Sequence, residues 1–144
     1  MDAPIISVIT VCYNVASSIE KTMLSVLNQT YKNLEYIIID GNSTDGTVDI
    51  IKRYAHRLAY WTSEPDKGIY DAMNKGIQKA NGEWINFMNA GDLFSSTTIL
   101  QQMSDAIKPG TRILRGNIIR IYPKFKVKSV GVTTQEPDLM DMFD

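Results

Sequence analysis

The segment EWINFMNAGDLF, residues 83–94, is a short apolar run that ends in a polar turn with one carboxylate, Asp92. A strand buried between two layers of helices has this composition. In open α/β sheets, ligands bind just beyond the carboxyl ends of the strands. The segment therefore predicts a central strand followed by a ligand-binding turn, and it makes Asp92 a candidate metal ligand.

Similar strand and helix signals precede this segment. Nearly continuous apolar runs at 5–13 and 34–39 predict two buried strands, and residues 58–62 predict a weaker one. Apolar residues at helical spacing follow each of these runs, and again after Asp92. Strands that alternate with helices indicate an α/β fold with a mostly parallel sheet flanked by helices.

The helix before residue 83 has the clearest pattern. Its apolar residues Ile69, Met73, Ile77 and Ala80 are expected to face the sheet. A glycine among them, Gly76, would let a neighbouring element pack closely. The pair Asn81-Gly82 is expected to end the helix in a left-handed conformation.

Length and composition limit the class of protein. The chain has 144 residues, 16 acidic and 15 basic, so it lacks the basic surface of a nucleic-acid binder. The single cysteine, Cys12, favours a reducing, cytoplasmic location. No run approaches the roughly 18 apolar residues of a transmembrane helix. Peripheral contact with the inner face of a membrane and assembly into a homo-oligomer are left open.

Polar residues follow three of the predicted strands, at 13–14, 40–47 and 89–92. In a parallel sheet these loops share one edge and can share a ligand. Each also has a purely structural interpretation: Asn14 can make a turn, Asp45 or Thr44 can cap a helix, and Asp92 can cap the next helix. Asp40 ends an apolar strand, where a carboxylate is costly to bury unless a group donates to it, as the imide N–H of uracil would.

Other enzyme motifs are absent from the sequence. It contains no GxxxxGK[ST] or GxGxxG loop, no cysteine and histidine cluster and no nucleophile elbow. A nucleotidyltransferase is disfavoured because no glycine-rich basic loop follows the first strand. A pyrophosphate bound here would need a cation, and carboxylate oxygen ligands suit Mg²⁺ or Mn²⁺.

Four motifs, in order, resemble the family 2 glycosyltransferases of the GT-A fold. They are ISVITVCYN at 6–14, IIIDGNSTDGT at 37–47, NKGI at 74–77 with ANG at 80–82, and the segment 83–94. The resemblance covers roughly residues 4–122 and implies the nucleotide-binding, Rossmann-like half of that fold. It implies a nucleotide-sugar-binding α/β domain at 1–122 and the start of a truncated acceptor-side segment at 123–144.

The resemblance also implies the site. Asp40 would accept a hydrogen bond from the pyrimidine, and Asp92 would bind the metal. The nucleotide-binding residues would be Cys12, Tyr13, Asn14, Asp40, Lys67, Asn74, Asn89, Ala90 and Gly91. Three positions depart from the common family pattern: Asn89 and Gly91 replace acidic residues, and Met73 stands where many members have arginine. The segment 64–76 resembles a bacterial subgroup that builds surface polysaccharide.

The implied reaction is metal-assisted transfer of a sugar, with inversion, from a nucleotide diphosphate donor such as a UDP-sugar. The acceptor would be a hydroxyl of a carbohydrate or a lipid-linked molecule. Family members continue for about a hundred further residues that carry the general base, so this chain alone is expected to be inactive. The alternative is a non-catalytic α/β module that binds nucleotides or partners, which the single carboxylate favours.

Overall fold

The computed structural model describes residues 3–116 and, for their backbone alone, two later strands at 119–121 and 126–128. The backbone divides into two units, Met1–Leu100 and Gln101–Asp144, which are described separately. The boundary expected between residues 122 and 123 stays a prediction.

Strands and helices alternate along the described chain. The strands are β1 (Ile6–Cys12), β2 (Leu34–Asp40), β3 (Tyr60–Ser63) and β4 (Trp84–Phe87), and the helices are α1 (Ile19–Leu27), α2 (Thr47–Arg53), α3 (Ile69–Lys79) and α4 (Ile99–Ala106). A short 3₁₀ helix, Ala55–Arg57, follows α2. None of the described helices has the length and apolar character needed to cross a membrane.

The four strands form one parallel sheet in the order β3-β2-β1-β4. Every residue of β1 is buried, because this apolar strand lies between β2 and β4. On one face of the sheet, Ile9, Val11, Ile37 and Ile39 pack with Ala72 of α3. The predicted α/β fold with a parallel sheet and flanking helices is confirmed.

Strand β4 differs from its prediction as a fully buried strand. It pairs only with β1 among the described strands, so it forms one edge of this sheet. Its alternate side chains Ile85 and Phe87 are 40% and 38% exposed. The apolar composition of the segment identified a strand correctly, but it did not reveal how many strands lie beside it.

Helix α3 faces the sheet with only part of the predicted set, since Met73 and Ala80 pack against the core cluster but Ile69 and Ile77 do not. Ala72 and Gly76 are buried, whereas Ile69 and Ile77 are 49% and 42% exposed. The reason is close packing at Gly76, where an added Cβ would lie 2.5 Å from Cγ2 of Ile9. The prediction for Gly76 is confirmed, and Ile69 and Ile77 are displaced to the exposed flanks of the helix.

The end of α3 also differs from its prediction. Neither Asn81 nor Gly82 has a positive φ, and the helix ends as Ala80 becomes extended. Glu35 instead anchors the following turn, accepting hydrogen bonds from the backbone N–H of Asn81 (2.5 Å) and of Gly82 (3.2 Å). A Cβ at Gly82 would collide with Ser7, so a glycine is needed there for close approach.

The second unit contains a two-stranded antiparallel sheet. Its strands are β5 (Ile119–Ile121) and β6 (Lys126–Lys128). Residues 117–118, 122–125 and 129–144 lie outside the described part of the chain.

Candidate functional site

The loops that carry the predicted site residues meet at the carboxyl edge of the sheet. Gly41 donates its backbone N–H to the carbonyl of Cys12 at 2.9 Å, and Ala90 reaches the carbonyl of Val11 at 3.5 Å. The loops after β1, β2 and β4 therefore start side by side. The shared edge expected from the sequence is present.

Asp40 is fully buried at the end of β2, with an exposed fraction of 0%. Its Oδ2 accepts hydrogen bonds from the Ser43 N–H (2.9 Å) and the Ser63 hydroxyl (2.7 Å). Its Oδ1 accepts from the Ser43 hydroxyl (2.6 Å) and the Cys12 thiol (3.3 Å). The donors that the sequence argument required are thus supplied by the chain itself, and Asp40 holds the loop after β2 in place.

Cys12 lies beneath the loops as a buried thiol. Burial raises the pKa of this thiol, and the charge of Asp40 and the hydrogen bond to it raise the pKa further. The charges of Asp45 and Asp66 add smaller effects. Cys12 therefore acts as a protonated donor to Asp40, and a nucleophilic thiolate is disfavoured.

The loop after β1 is fastened to the loop after β2. Asn14, with a φ of 50°, donates its N–H to the Ser43 hydroxyl and accepts from the Thr44 N–H at 2.9 Å. Asp45 accepts from the Ala16 N–H at 3.1 Å and from the Thr47 hydroxyl at 2.6 Å.

These hydrogen bonds, with the Thr47 hydroxyl as the largest contributor, lower the pKa of Asp45. Asn14 thus lies in a turn, and Asp45 holds Thr47 at the start of α2, although the N-cap of that helix is Gly46 and not Asp45. The ring of Tyr13 is left 61% exposed at the same edge.

The turn after β4 carries Asp92. Its backbone N–H bonds to the carbonyl of Asn89 at 3.0 Å, and Gly91 adopts a φ of 101°. The Gly91 N–H donates to the hydroxyl of Thr22 on α1 at 2.9 Å. Asp92 is exposed, and no described residue donates to its carboxylate. Since α4 begins only at Ile99, Asp92 does not cap that helix.

Two side chains of this turn, Asp92 and Asn89, carry oxygen atoms of the kind that could bind a divalent metal together with a substrate. Within the described ranges, no group of three or more acidic, histidine or cysteine residues could hold a metal alone. The side-chain oxygen of Asn89 is nonetheless buried with no hydrogen-bond partner among these residues. Mg²⁺ and ions like it are commonly held by one or two carboxylates, water and substrate phosphates. Asp92 and Asn89 supply oxygen ligands of that kind.

The structure does not bring all the predicted residues to this edge. Asn74 is exposed, and its position in α3 lies opposite the buried Ala72 and Gly76. The backbone N–H of Lys67 bonds to Asp71 at 2.9 Å, which fixes the start of α3 while the lysine stays exposed. Met73, where many family members have arginine, packs against the apolar cluster under α3.

One carboxylate at this edge was not identified from the sequence. Asp66 lies against Gly41, where an added Cβ would be 2.8 Å from Asp66 Oδ2 and 3.5 Å from the Tyr13 ring. Its other oxygen accepts the Gly68 N–H at 3.0 Å. The proline and glycine of the segment EPDKG, residues 64–68, are typical of a turn, and they give no indication of a role for its carboxylate. The signal in the sequence that could have identified Asp66 is the presence of a carboxylate in the loop after β3.

Comparison with known proteins identifies relatives for most of the chain. Residues 7–137 match the family described as "Glycosyl transferase family 2". An uncharacterized glycosyltransferase of Mycobacterium tuberculosis is 41% identical over 106 residues, which cover 73% of this chain and 40% of the relative. A PGL/p-HBAD biosynthesis glycosyltransferase of Mycobacterium bovis is 37% identical over 69% of the chain and 40% of its own length. The chain thus spans about two fifths of these relatives.

Solved structures show the same arrangement of strands and helices. The mannosyltransferase PcManGT of Pyrobaculum calidifontis, in complex with GDP-Man and Mn²⁺, superposes with a TM-score of 0.63 at 29% identity, covering 72% of this chain and 31% of that one. TarS of S. aureus superposes with a TM-score of 0.65 at 24% identity, which shows the fold, over 70% of this chain and 30% of that one. The family match, together with the parallel sheet, shows that the chain belongs to glycosyltransferase family 2 and has the GT-A fold.

Proposed function

We propose that the carboxyl edge of the sheet binds a nucleotide diphosphate sugar, with a UDP-sugar as the first candidate. The exposed ring of Tyr13 offers an apolar surface for the base, and Cys12 and Asn14 fix the loops around it. The diphosphate would lie toward the turn formed by Asn89, Ala90 and Gly91, whose backbone is held by β1 and α1. This proposal gives Lys67, at the start of α3, and Asn74, on the outer face of that helix, no direct contact with the nucleotide.

Asp92 would hold a divalent metal, Mg²⁺ or Mn²⁺, together with the side-chain oxygen of Asn89. When bound, the metal supplies positive charge that stabilises the departing diphosphate. Support comes from the exposed, unshared carboxylate of Asp92 and from the Mn²⁺ in the complex of the Pyrobaculum relative. Because that relative holds GDP-Man, a guanosine diphosphate is tested as a ligand beside a uridine diphosphate.

In the complete reaction, the sugar would move with inversion to a hydroxyl of a carbohydrate or lipid-linked acceptor, as in surface polysaccharide synthesis. The resemblance of segment 64–76 to polysaccharide-building enzymes supports this acceptor class. The Mycobacterium bovis relative is named for PGL/p-HBAD biosynthesis. The general base that would deprotonate the acceptor is not assigned to any described residue. The cytoplasmic location also stays a prediction.

The observation that carries this proposal is the position of Asp92, exposed at the same sheet edge as Tyr13 and free of donors from described residues. Calorimetric titration of the chain with UDP and with GDP, each with and without Mn²⁺, tests it. We expect Mn²⁺ to strengthen binding of the diphosphate, and Asp92→Ala to abolish this strengthening while metal-free binding persists.

Glu83→Ala is the matched control, because Glu83 is an exposed acid at the amino end of β4, the opposite edge of the sheet. It should bind like the wild type. If Asp92→Ala kept the full effect of Mn²⁺, Asp92 would not be the metal ligand. If the wild type bound neither nucleotide, the non-catalytic interaction module would be the better interpretation.

A further inference from the structure

We propose that Gln29 is a positioning residue, which keeps the turn around Asp92 preformed before the nucleotide and the metal bind. This inference rests on the proposed function, and it identifies the residue that holds the chain beyond the metal ligand. The 91–100 segment runs from this turn to the first turn of α4, and most of its side chains are exposed. Its position therefore depends on hydrogen bonds to its backbone.

Gln29 lies just after α1, where its side-chain amide is buried and hydrogen-bonded. The residue is 9% exposed, and its backbone N–H bonds to the carbonyl of Val26, which continues the last turn of the helix. Its Nε2 donates to the carbonyls of Ser25 (3.1 Å) and Ser96 (2.6 Å), and its Oε1 accepts from the Leu100 N–H at 3.1 Å. A buried amide without such partners would be costly. The side chain thus links the end of α1 to residues 67 and 71 positions later in the chain.

The end of the 91–100 segment is held more firmly than its middle. The hydrogen bond from the Phe94 N–H to the hydroxyl of Ser25 is 3.3 Å long, beyond the usual length of about 2.9–3.0 Å, so it is weak. The bond from Gln29 to the Ser96 carbonyl is much shorter, at 2.6 Å. Gln29 therefore contributes more to the position of the segment than Ser25 does.

Gln29 belongs to a polar stripe along α1 that also contains Thr22 and Ser25. Spacings of three and four residues place these side chains on one face of the helix. The stripe contacts four backbone groups of the 91–100 segment, which are the N–H groups of Gly91, Phe94 and Leu100 and the carbonyl of Ser96. Asp92 therefore has anchored residues on both sides.

A preformed turn affects how tightly the metal and the nucleotide bind. When only a fraction of the molecules has the binding-competent conformation, the apparent affinity falls by that fraction. Release of the end of the 91–100 segment would let the chain around Asp92 adopt other conformations. Loss of the Gln29 amide should therefore weaken the Mn²⁺-dependent part of nucleotide binding, while the part of binding that needs no metal stays unchanged.

Amide hydrogen exchange of the nucleotide-free chain, resolved by NMR, tests whether Gln29 holds the turn. Gln29→Met removes the amide donors and acceptor while keeping a side chain of similar length. We expect the N–H groups of Gly91, Phe94 and Leu100 to be protected in the wild type. In Gln29→Met, those of Phe94 and Leu100 should exchange roughly 10-fold faster or more, with the exchange of β1 unchanged.

Calorimetric titration with UDP, with and without Mn²⁺, measures the consequence for the site. Gln29→Met should reduce the strengthening by Mn²⁺ about 5-fold or more. Asn28→Met makes a similar change at the exposed neighbouring residue and should bind like the wild type. Glu35→Gln alters hydrogen bonds at the opposite edge of the sheet, so it controls for loss of stability alone and should keep the full Mn²⁺ effect.

The inference is overturned if Gly91 and Phe94 exchange in the wild type as fast as in an unfolded chain, or if Gln29→Met keeps either the wild-type exchange or the full Mn²⁺ effect. Equal weakening of the Mn²⁺ effect in Gln29→Met and Glu35→Gln would also overturn it, since Gln29 would then contribute only stability. Failure of the wild type to bind any nucleotide would instead overturn the proposed function, and the exchange rates would still decide whether Gln29 holds the turn.

Discussion

Asp40 and Asp92, two carboxylates at the same edge of the sheet, have different roles because their surroundings differ. Asp40 is buried and receives protein donors, whereas Asp92 is exposed and receives none from the described residues. A buried carboxylate without donors would be costly, so Asp40 must be satisfied by the fold itself. An exposed carboxylate has no such requirement and remains available to a cation.

Glu35, at the opposite edge of the sheet, gives a prediction about acid stability. Its partial burial alone would raise the pKa, but hydrogen bonds from the Ser7 hydroxyl and from Asn81 and Gly82 outweigh this and lower it. A carboxyl group with a lowered folded-state pKa stabilises the protein above its unfolded pKa of about 4.3. That stabilisation should be lost as the pH falls through the folded-state value.

Urea unfolding of wild type and Glu35→Gln at a series of pH values measures this effect. We expect the variant to be less stable at neutral pH, and the difference between the two to shrink as the pH drops below about 4.3. Glu83→Gln serves as the exposed control and should follow the wild-type profile. A difference that is the same at every pH would show that Glu35 contributes only packing.

Helix α1 positions the turn that contains Asp92. The hydroxyl of Thr22 accepts the Gly91 N–H, and the hydroxyl of Ser25 accepts the Phe94 N–H at 3.3 Å. On the other side, the hydroxyl of Thr10 donates to the carbonyl of Met88 at 2.7 Å. These contacts, made by β1 and α1, hold the turn at its start, middle and end.

Replacement of Thr22 tests this role. Thr22→Val keeps the shape of the side chain but removes the acceptor of the Gly91 N–H, which should cost about 1 kcal/mol of unfolding free energy. We expect it also to weaken the Mn²⁺-dependent part of UDP binding, measured by calorimetry, with metal-free binding unchanged. Thr22→Ser retains the hydroxyl and should restore both. Wild-type metal dependence in Thr22→Val would show that α1 does not position the turn.

The elements differ in how far the sequence could predict them. Strands β1 and β2 and the loops after them follow from local apolar runs and turn residues, and all are present. The sheet-facing side of α3 depends on the contact between Gly76 and Ile9, which are distant in sequence. The donors to Asp40 include Ser63 of β3, which is distant in sequence. The exposure of β4 depends on which strands lie beside it in the sheet. Such facts arise from tertiary packing, so local patterns could not supply them.

At the scale of the whole molecule, the proposed ligand would join loops from separate strands of the sheet. The base would contact the loop after β1, and the metal would bind the turn after β4. A ligand that binds only the folded state raises stability by about 2.7 kcal/mol at a concentration one hundred times its Kd. The stabilisation should appear in the sheet, since all these loops begin at its strands.

Both tryptophans of the chain lie in this sheet, Trp61 in β3 and Trp84 in β4. Their fluorescence therefore reports thermal unfolding of the sheet in particular. With UDP and Mn²⁺ at one hundred times their Kd, we expect the transition to rise by roughly 5–10 °C, since each kcal/mol shifts a chain of this size by about 2–4 °C. In Asp92→Ala, the increment due to Mn²⁺ should vanish while any shift from UDP alone remains. A transition that does not move with saturating nucleotide and metal would contradict a donor site formed at this edge.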